Sequence, residues 1–171
     1  MAEFLTTKGV ISAIDDIIKY AKKEVFIISP FLKISKMYRE RLKAAVQRGV
    51  EVSILFGKSK NLDAETIHDL KDCASFYYYE DLHGKCYYNE EEMVVTSMNM
   101  YEASEKNREF GIRLTKSDTK DNKIYEKCEM ECSEIFSLSD PIKHFDQLQV
   151  SFSVNTSEKK EIHNKPHNSG Y

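Results

Sequence analysis

Four side chains that could bind and attack a phosphate group occur within residues 82–114. His83 and Lys85 are two residues apart, and so are Ser97 and Asn99, so each pair projects from one face if its segment is extended. If the segment between the pairs forms a hairpin, the two pairs lie side by side. An ammonium group neutralises phosphate charge, a hydroxyl and an amide donate hydrogen bonds to it, and an imidazole can attack or shuttle a proton. The spacing therefore predicts a site for phosphate chemistry.

The segments around this stretch alternate between helical and strand patterns. Upstream, each periodic apolar segment is followed by a short β-branched run, which predicts right-handed crossovers between parallel strands with helices on the faces of the sheet. Downstream, two strand-like runs joined by an acidic turn predict a hairpin, followed by one more strand and one more helix. The predicted fold class is α/β, a single domain with a mixed, largely parallel sheet flanked by helices. The predicted helices run from Thr6 or Thr7 to about Lys23, through Tyr38 and Leu42 to Gly49, over 62–72 and over 118–136; the predicted strands are 24–30, 50–56, 74–79, 84–89, 93–98 and 108–114.

The length and composition of the chain limit its class. A chain of 171 residues is expected to form one domain with a sizeable core. We assign residues 1–150 to this domain and the polar residues 151–171 to a C-terminal tail without assigned structure. No apolar run approaches the roughly 20 residues of a membrane helix, and the first residues lack the layout of a secretory signal. We therefore expect a cytoplasmic protein with no membrane partner.

Charge is distributed unevenly along the chain, although the net charge is only -3. Residues 1–60 carry 12 lysine and arginine residues against 6 aspartate and glutamate residues, whereas residues 61–120 carry 7 against 13. The basic N-terminal third could face a polyanion such as nucleic acid. The same cations are typical of the solvated faces of two helices, and charge alone favours this second interpretation.

The four cysteines do not have the pattern of a disulfide framework in a chain of this length without an export signal. Cys128 and Cys132 lie one helical turn apart and could hold a metal ion, but the sequence offers no second cysteine pair. We therefore expect free thiols and no metal site.

The order of the chemically active residues resembles the phospholipase D superfamily, in particular its nucleases with a single motif. The motif of that family is His-x-Lys, four residues, Asp, six residues, Gly-Ser-x-Asn, and a Glu further on. His83 and Lys85 match the first pair, Ser97 and Asn99 match the second, and Glu109 falls at the position of the Glu. The resemblance covers about residues 8–135, because the upstream helices and strands also follow the order of the family.

The chain departs from the family motif at two positions. Thr96 replaces the Gly that precedes the Ser, and the hairpin is one residue shorter. The Asp of the family therefore falls on Asn89 or on Glu90, depending on where the gap is placed. In the family this Asp supports the site and does not attack the substrate, so the resemblance implies that its loss affects efficiency more than mechanism.

The resemblance implies a covalent mechanism without a metal or another cofactor. One histidine attacks phosphorus to give a phosphohistidine, a second motif's histidine protonates the leaving oxygen, and water completes the hydrolysis. This chain has one such motif, because His163 and Lys165 repeat the spacing without a following hairpin. A homodimer is therefore expected, with His83 of one chain beside His83 of the other.

The expected function is that of a metal-independent DNA endonuclease. Arg108 and Thr96 are candidate substrate-binding residues, although Arg108 is equally consistent with a plain surface charge. Several tyrosines between residues 77 and 88 could stack on bases or serve core packing. Two other functions are consistent with the sequence: an inactive phospholipase D-like module that binds nucleic acid or dimerises, and a phospholipid phosphodiesterase. The last is the weakest, since no membrane-binding amphipathic segment is evident.

Overall fold

A computed structural model describes residues 1–57, 62–101, 104 and 106–145 of the chain. Its strands are β1 (Glu3–Thr6), β2 (Glu24–Ile28), β3 (Glu51–Phe56), β4 (Ser75–Tyr78), β5 (Cys86–Asn89), β6 (Glu92–Thr96), β7 (Phe110–Thr115) and β8 (Asp140–Ile142). Within the described residues the longer helices are α1 (Thr7–Tyr20), α2 (Lys36–Gln47), α3 (Ala64–Leu70) and α4 (Asn122–Leu138). The predicted tail, 151–171, and the predicted domain boundary at residue 150 lie outside the described residues.

One sheet contains all eight strands in the order β1-β7-β6-β5-β2-β3-β4-β8. The crossovers through α2 and α3 make β2, β3 and β4 parallel, as the alternating pattern predicts. The β5–β6 hairpin is also confirmed, with Tyr88 paired to Met93 across the turn. The α/β fold class with a mixed sheet is therefore confirmed.

The prediction that the sheet is largely parallel is wrong. The hairpin lies beside β2 with β5 antiparallel to it, and β7 continues the antiparallel order on the far side of β6. Two short edge strands that the sequence pattern did not reveal, β1 and β8, also pair antiparallel with their neighbours. The sheet is consequently mostly antiparallel, because only the two crossover connections produce parallel pairs.

Apolar side chains cover both faces of the sheet. Helices α1, α2 and α3 bury Val10, Ile14, Ile17 and Leu42, among others, against one face. Helix α4 covers part of the other face, where Tyr125 packs with apolar residues of β5, β6 and β7. Within the described residues, no helix is both long and apolar enough to cross a membrane.

Four strand ends meet at one end of the sheet. Ile28, the last residue of β2, pairs with Cys86, the first residue of β5. Cys86 also pairs with Val95 near the end of β6, and the next residue of β6, Thr96, pairs with Gly111 at the start of β7. The segments that follow β2 and β6 and precede β5 and β7 therefore lie together, and these segments carry the candidate residues.

Candidate active site

Backbone hydrogen bonds extend the strand pairing into the predicted site. Thr96 N donates to Lys85 O at 3.2 Å, and Ser97 N donates to Phe110 O at 3.1 Å. Lys85, Ser97 and Glu109 are thus carried on three adjacent segments of backbone. This confirms the side-by-side placement of the two ends of the hairpin that the sequence predicts.

Ser97 and Glu109 form the best-connected pair of the site. The Ser97 hydroxyl donates to Glu109 Oε2 and accepts a hydrogen bond from Phe110 N at 3.3 Å. The backbone N–H of Glu109 donates to Thr7 Oγ1 at 2.8 Å, and this threonine hydroxyl lies 3.0 Å from the carbonyl oxygen of Asn107. Thr7 is therefore a supporting residue, whereas the sequence pattern placed it only at the start of the first predicted helix. Only the tertiary pairing reveals this role, since a hundred residues separate the two groups.

Asn99 is oriented by a serine at the end of β2. The Ser29 hydroxyl donates to Asn99 Oδ1 at 3.3 Å, and Ser29 is buried. Because Oδ1 is the acceptor, the NH₂ group of Asn99 is the part of the amide that can donate to a phosphate. Sequence reasoning missed Ser29. The available signal was its position, since polar residues after the carboxyl ends of buried parallel strands commonly point into sites.

Tyr87 supports the backbone between Ser97 and Asn99 from the core of the protein. Its hydroxyl donates to Met98 O at 2.8 Å, and its ring is fully buried. Burial raises the pKa of the Tyr87 phenol well above its usual range, so it stays a neutral donor. The backbone between Ser97 and Asn99 is thereby fixed from the core side.

His83 is placed differently from the expectation. Strand β5 begins at Cys86, so the alternation of a strand does not extend back to His83 and Lys85. The His83 side chain is exposed, and in the described part of the chain no hydrogen bond or ion pair joins its ring to Ser97, Asn99 or Glu109. Arg108 is also exposed beside Glu109. The fold brings the candidate residues from His83 to Glu109 to one end of the sheet. Among them, Ser97 and Glu109 are in direct side-chain contact.

Gly111 accommodates the replacement of the family Gly by Thr96. The two residues are paired across β6 and β7, and a Cβ on Gly111 would lie 3.0 Å from Thr96 Cβ and 3.0 Å from Val95 O. The side chain of Thr96 thus fills the space that a side chain at position 111 would need. Its hydroxyl donates to Phe110 O at 2.6 Å and accepts from Met98 N at 3.1 Å, which fixes the turn that carries Ser97.

Asn89 and Glu90, the two alternatives for the family Asp, both lie at the closed end of the hairpin. The Asn89 amide donates to Ile17 O at 2.8 Å, and its Oδ1 accepts the N–H groups of Glu91 and Glu92 at 2.8 Å each. Glu90 accepts backbone N–H groups that precede or begin β2, with Lys22 N at 2.7 Å. Asn89 thus ties the hairpin to α1, and Glu90 ties it to the α1–β2 connection. Within the described residues, neither side chain is hydrogen-bonded to His83, Lys85, Ser97, Asn99 or Glu109.

An apolar cavity of about 300 Å³ lies next to Lys85. Leu82, Val95 and Ile135 contribute to its lining, together with three cysteines: Cys86, Cys128 and Cys132. All four cysteines of the chain are free thiols. A hydrogen bond with Cys132, together with burial, raises the pKa of the Cys86 thiol well above its usual range. Among residues 1–57, 62–101, 104 and 106–145, no group of three or more His, Cys, Asp or Glu residues is arranged to hold a metal ion.

One family model matches the chain. It is described as cardiolipin synthase, PLD-like domain, and it covers residues 14–134. The match spans more than half of the chain and includes every candidate residue from His83 to Glu109, although it begins after Thr7. A comparison with curated proteins gives no significant match.

Solved structures share the fold at low sequence identity. Nuc from Salmonella typhimurium, a phospholipase D family member, superposes with a TM-score of 0.68 and 15% identity over 84% of this chain and 100% of that chain. TrmBL2, an archaeal chromatin protein whose structure is said to show a novel mode of DNA binding, gives 0.60 and 14% over 82% of this chain and 53% of that chain. Phosphatidylserine synthase from Haemophilus influenzae gives 0.67 and 11% over 94% of this chain and 46% of that chain. These similarities establish the architecture.

Proposed function

The chain belongs to the phospholipase D superfamily, in the family described as cardiolipin synthase, PLD-like domain, and from this membership we propose that it is a phosphodiesterase. In the finer form of the proposal it is a metal-independent DNA endonuclease. The observation that carries the proposal is the arrangement at one end of the sheet, where Ser97 contacts Glu109 and Ser29 orients Asn99 beside the His83–Lys85 segment.

His83, Lys85 and Asn99 act directly on the phosphate in the proposed reaction. A nitrogen of His83 attacks phosphorus while the bond to the leaving oxygen breaks, and a second histidine gives its proton to that oxygen. Water then attacks the phosphohistidine and loses a proton to the second histidine, which releases the phosphate product and restores His83. Lys85 and Asn99 stabilise the negative charge on the non-bridging oxygens in both steps.

A second copy of the chain supplies the second histidine in this proposal. An exposed apolar patch supports it: Phe4 (65% exposed), Val95 (40%), Phe110 (58%) and Ile112 (39%). The strand register places these side chains on one face of β1, β7 and β6, where Phe4 and Phe110 stack with ring centroids 6.2 Å apart. We call these four residues the apolar patch.

The apolar patch adjoins the site. Leu114, two residues after Ile112 on the same face of β7, is buried under α4, whereas the patch lies where α4 no longer covers the sheet. Phe110 also accepts backbone and side-chain hydrogen bonds from Thr96 and Ser97. A second copy that covers the patch would therefore bring its own motif close to this one.

Incubation with supercoiled plasmid DNA in EDTA tests the proposal. Wild-type protein should nick the plasmid under these conditions, because Lys85 and a histidine pair supply the positive charge that a metal would otherwise provide. His83→Asn should reduce the rate by at least about a thousandfold, since the amide cannot attack phosphorus. His68→Asn is the matched control, because His68 is exposed on α3. Loss of wild-type cleavage in EDTA with recovery on magnesium addition would show that the mechanism is wrong.

A phospholipid phosphodiesterase is the second candidate. The apolar cavity of about 300 Å³ beside Lys85 is the observation that favours it, because such a cavity could take part of an acyl chain. Release of a water-soluble headgroup from phospholipid vesicles, in the absence of plasmid nicking, would select this function over the nuclease.

A further inference from the structure

A second cavity, of about 550 Å³, opens at the N-terminal end of α2. Its lining includes Ser35, which is the N-cap residue of α2, together with Lys33, Lys36, Tyr101 and Lys106. The cavity shares no lining residue with the apolar cavity beside Lys85, and none of its lining residues takes part in the proposed reaction.

Ser35 has a buried hydroxyl with nothing to bind in the described part of the chain. The residue is 7% exposed, and its Oγ makes no hydrogen bond there, not even to the amides of the helix that it precedes. The first helical hydrogen bond runs from Arg39 N to Ser35 O at 3.0 Å. The N–H groups at the start of a helix point out of its N-terminus and carry partial positive charge, which favours an anion. A buried hydroxyl without a partner costs free energy, and a bound anion would accept its hydrogen bond.

The charges around the cavity also favour an anion. Its two carboxylates already have partners: Asp63 accepts hydrogen bonds from the backbone N–H and the hydroxyl of Thr66, and Glu65 pairs with Arg39 at 2.7 Å. In contrast, Lys33 and Lys106 form no ion pair with any residue that the structure describes. The free positive charge of the cavity is therefore supplied by ammonium groups, which bind phosphate as point charges.

The cavity is linked by the backbone to the candidate active site. Tyr101 N donates to Asn99 O at 2.9 Å, and Ser35 N donates to Met100 O at 2.8 Å. The chain thus passes from Asn99 directly to the rim of the cavity. On this rim the rings of Tyr101 and Phe31 meet edge to face with centroids 6.4 Å apart, and Phe31 is exposed.

We propose that this cavity is a second phosphate subsite, in which Ser35, the start of α2, Lys33 and Lys106 bind a neighbouring phosphate of the nucleic-acid strand whose scissile phosphate lies at His83. The inference rests on the proposed function, because it names the substrate as a polymer with phosphates on both sides of the cut. A nucleic-acid strand is the occupant that fits, since it repeats a phosphate at every nucleotide and its bases can stack on exposed rings such as Phe31 and Tyr101. A lipid headgroup would instead be expected near the apolar cavity that Lys85 lines.

Salt titration of oligonucleotide binding measures this subsite directly. For a short single-stranded oligonucleotide, the slope of log K against log salt should become less negative by about 0.7 in Lys106→Gln, because one phosphate contact is lost. Lys33→Gln should give a similar change, and each should weaken binding severalfold at moderate salt. Ser35→Asp should weaken oligonucleotide binding further, because the new carboxylate repels phosphate. The thermal unfolding midpoint of this variant should not fall below that of the wild type, because aspartate is a favourable residue at a helix N-terminus. Lys123→Gln, an exposed lysine on α4, is the matched control and should leave the slope unchanged.

Equal slopes for Lys106→Gln, Lys33→Gln and the Lys123→Gln control would overturn the subsite. The two lysines are exposed, so these variants carry the test even if Ser35→Asp does not fold.

Phosphatidylserine vesicles form the second arm of the test. Variants that lose vesicle binding but keep oligonucleotide binding would show that the ligand is a lipid headgroup, which also overturns the proposal. Hydrolysis of bis(p-nitrophenyl) phosphate by the wild type is measured separately. If it is absent while the slopes change as expected, the proposed reaction fails and the subsite stands; if it is present while the slopes do not change, the subsite fails alone.

Discussion

Glu109 shows how a single residue of the site is held before any substrate binds. Its carboxylate accepts from Ser97, and its backbone N–H donates to Thr7 at the start of α1. One contact fixes the backbone of Glu109 and the other fixes its carboxylate. The negative charge is therefore in position before the substrate arrives. The same logic applies to Asn99, whose amide is oriented by the buried hydroxyl of Ser29.

Two serines should therefore affect turnover to different degrees. Ser97→Ala removes the hydroxyl that donates to the Glu109 carboxylate and should lower kcat by about a hundredfold, because Glu109 is then no longer held in place. Ser29→Ala acts through Asn99 and should cost about tenfold, as expected for a residue that orients another. Initial rates on plasmid DNA measure both, with Ser53→Ala on neighbouring β3 as the control. An effect of Ser29→Ala no larger than that of the control would contradict the supporting role.

The residue types of the site were predictable from the sequence, whereas its supporting contacts were not. His83, Lys85, Ser97, Asn99 and Glu109 follow a spacing that a linear motif records. Their catalytic roles stay predictions. The partners of Glu109 and Asn99 come from α1 and β2, so only the three-dimensional path of the chain identifies them.

At the scale of secondary structure, the sequence pattern predicts the longer elements and misses the short edges. The six predicted strands and four predicted helices are present, because each has enough apolar residues to show its period. Strand β8 contains Pro141, and a proline argues against a strand unless the strand lies at an edge, as this one does. Strand β1 has four residues and pairs with β7 more than a hundred residues away, so its local pattern carries little signal. The prediction of a largely parallel sheet failed because local patterns do not record how the hairpin and β7 join the sheet, where they pair antiparallel with their neighbours.

The Thr96–Gly111 pair is expected to be energetically coupled. Gly111→Ala should lower the free energy of unfolding by about 1–3 kcal/mol, because the new Cβ would press on Thr96 and on the backbone of β6. Thr96→Gly should remove the part of that penalty that comes from the Thr96 side chain when it is combined with Gly111→Ala. Urea unfolding of the two single variants and the double variant gives the coupling. Additive losses would mean that the contact is not the cause.

The hairpin anchor at Glu90 should make stability depend on pH. Burial raises the pKa of this carboxyl, but the backbone N–H groups of Glu90, Lys22, Glu24 and Lys23 outweigh burial and lower it. A lowered pKa in the folded state stabilises the fold above the unfolded pKa, and this contribution is lost as pH falls through the folded pKa. The wild type should therefore melt at a higher temperature than Glu90→Gln at pH about 7, and the gap should close below pH about 4. Glu51→Gln, an exposed carboxylate on β3, is the control; a gap for Glu90→Gln that does not change with pH would contradict the assignment.

At the scale of the whole molecule, the two faces of the sheet have different coverage. Three helices cover one face, and α4 covers only part of the other, which leaves the apolar patch exposed next to a site with one histidine. In the proposed reaction the site needs a second histidine, and a symmetric pair of chains would both supply this histidine and cover the apolar patch. Symmetry would satisfy both with no additional gene product.

Mixing experiments test this pairing. If His83 from two chains forms one site, wild-type protein mixed with His83→Asn should show an activity that follows the square of the wild-type fraction, because heterodimers hold one histidine.

Disruption of the apolar patch is a second test of the pairing. Ile112→Lys should place a charge in the patch, shift the protein towards monomer in sedimentation and reduce activity in parallel. Met130→Lys is the matched control, since Met130 is an exposed apolar residue on α4 outside the patch. Activity that tracks the wild-type fraction linearly under free exchange of chains, or an active Ile112→Lys monomer, would show that one chain completes the site alone. The second histidine would then have to come from elsewhere in the sequence, where His163 is the residue that repeats the spacing to a lysine.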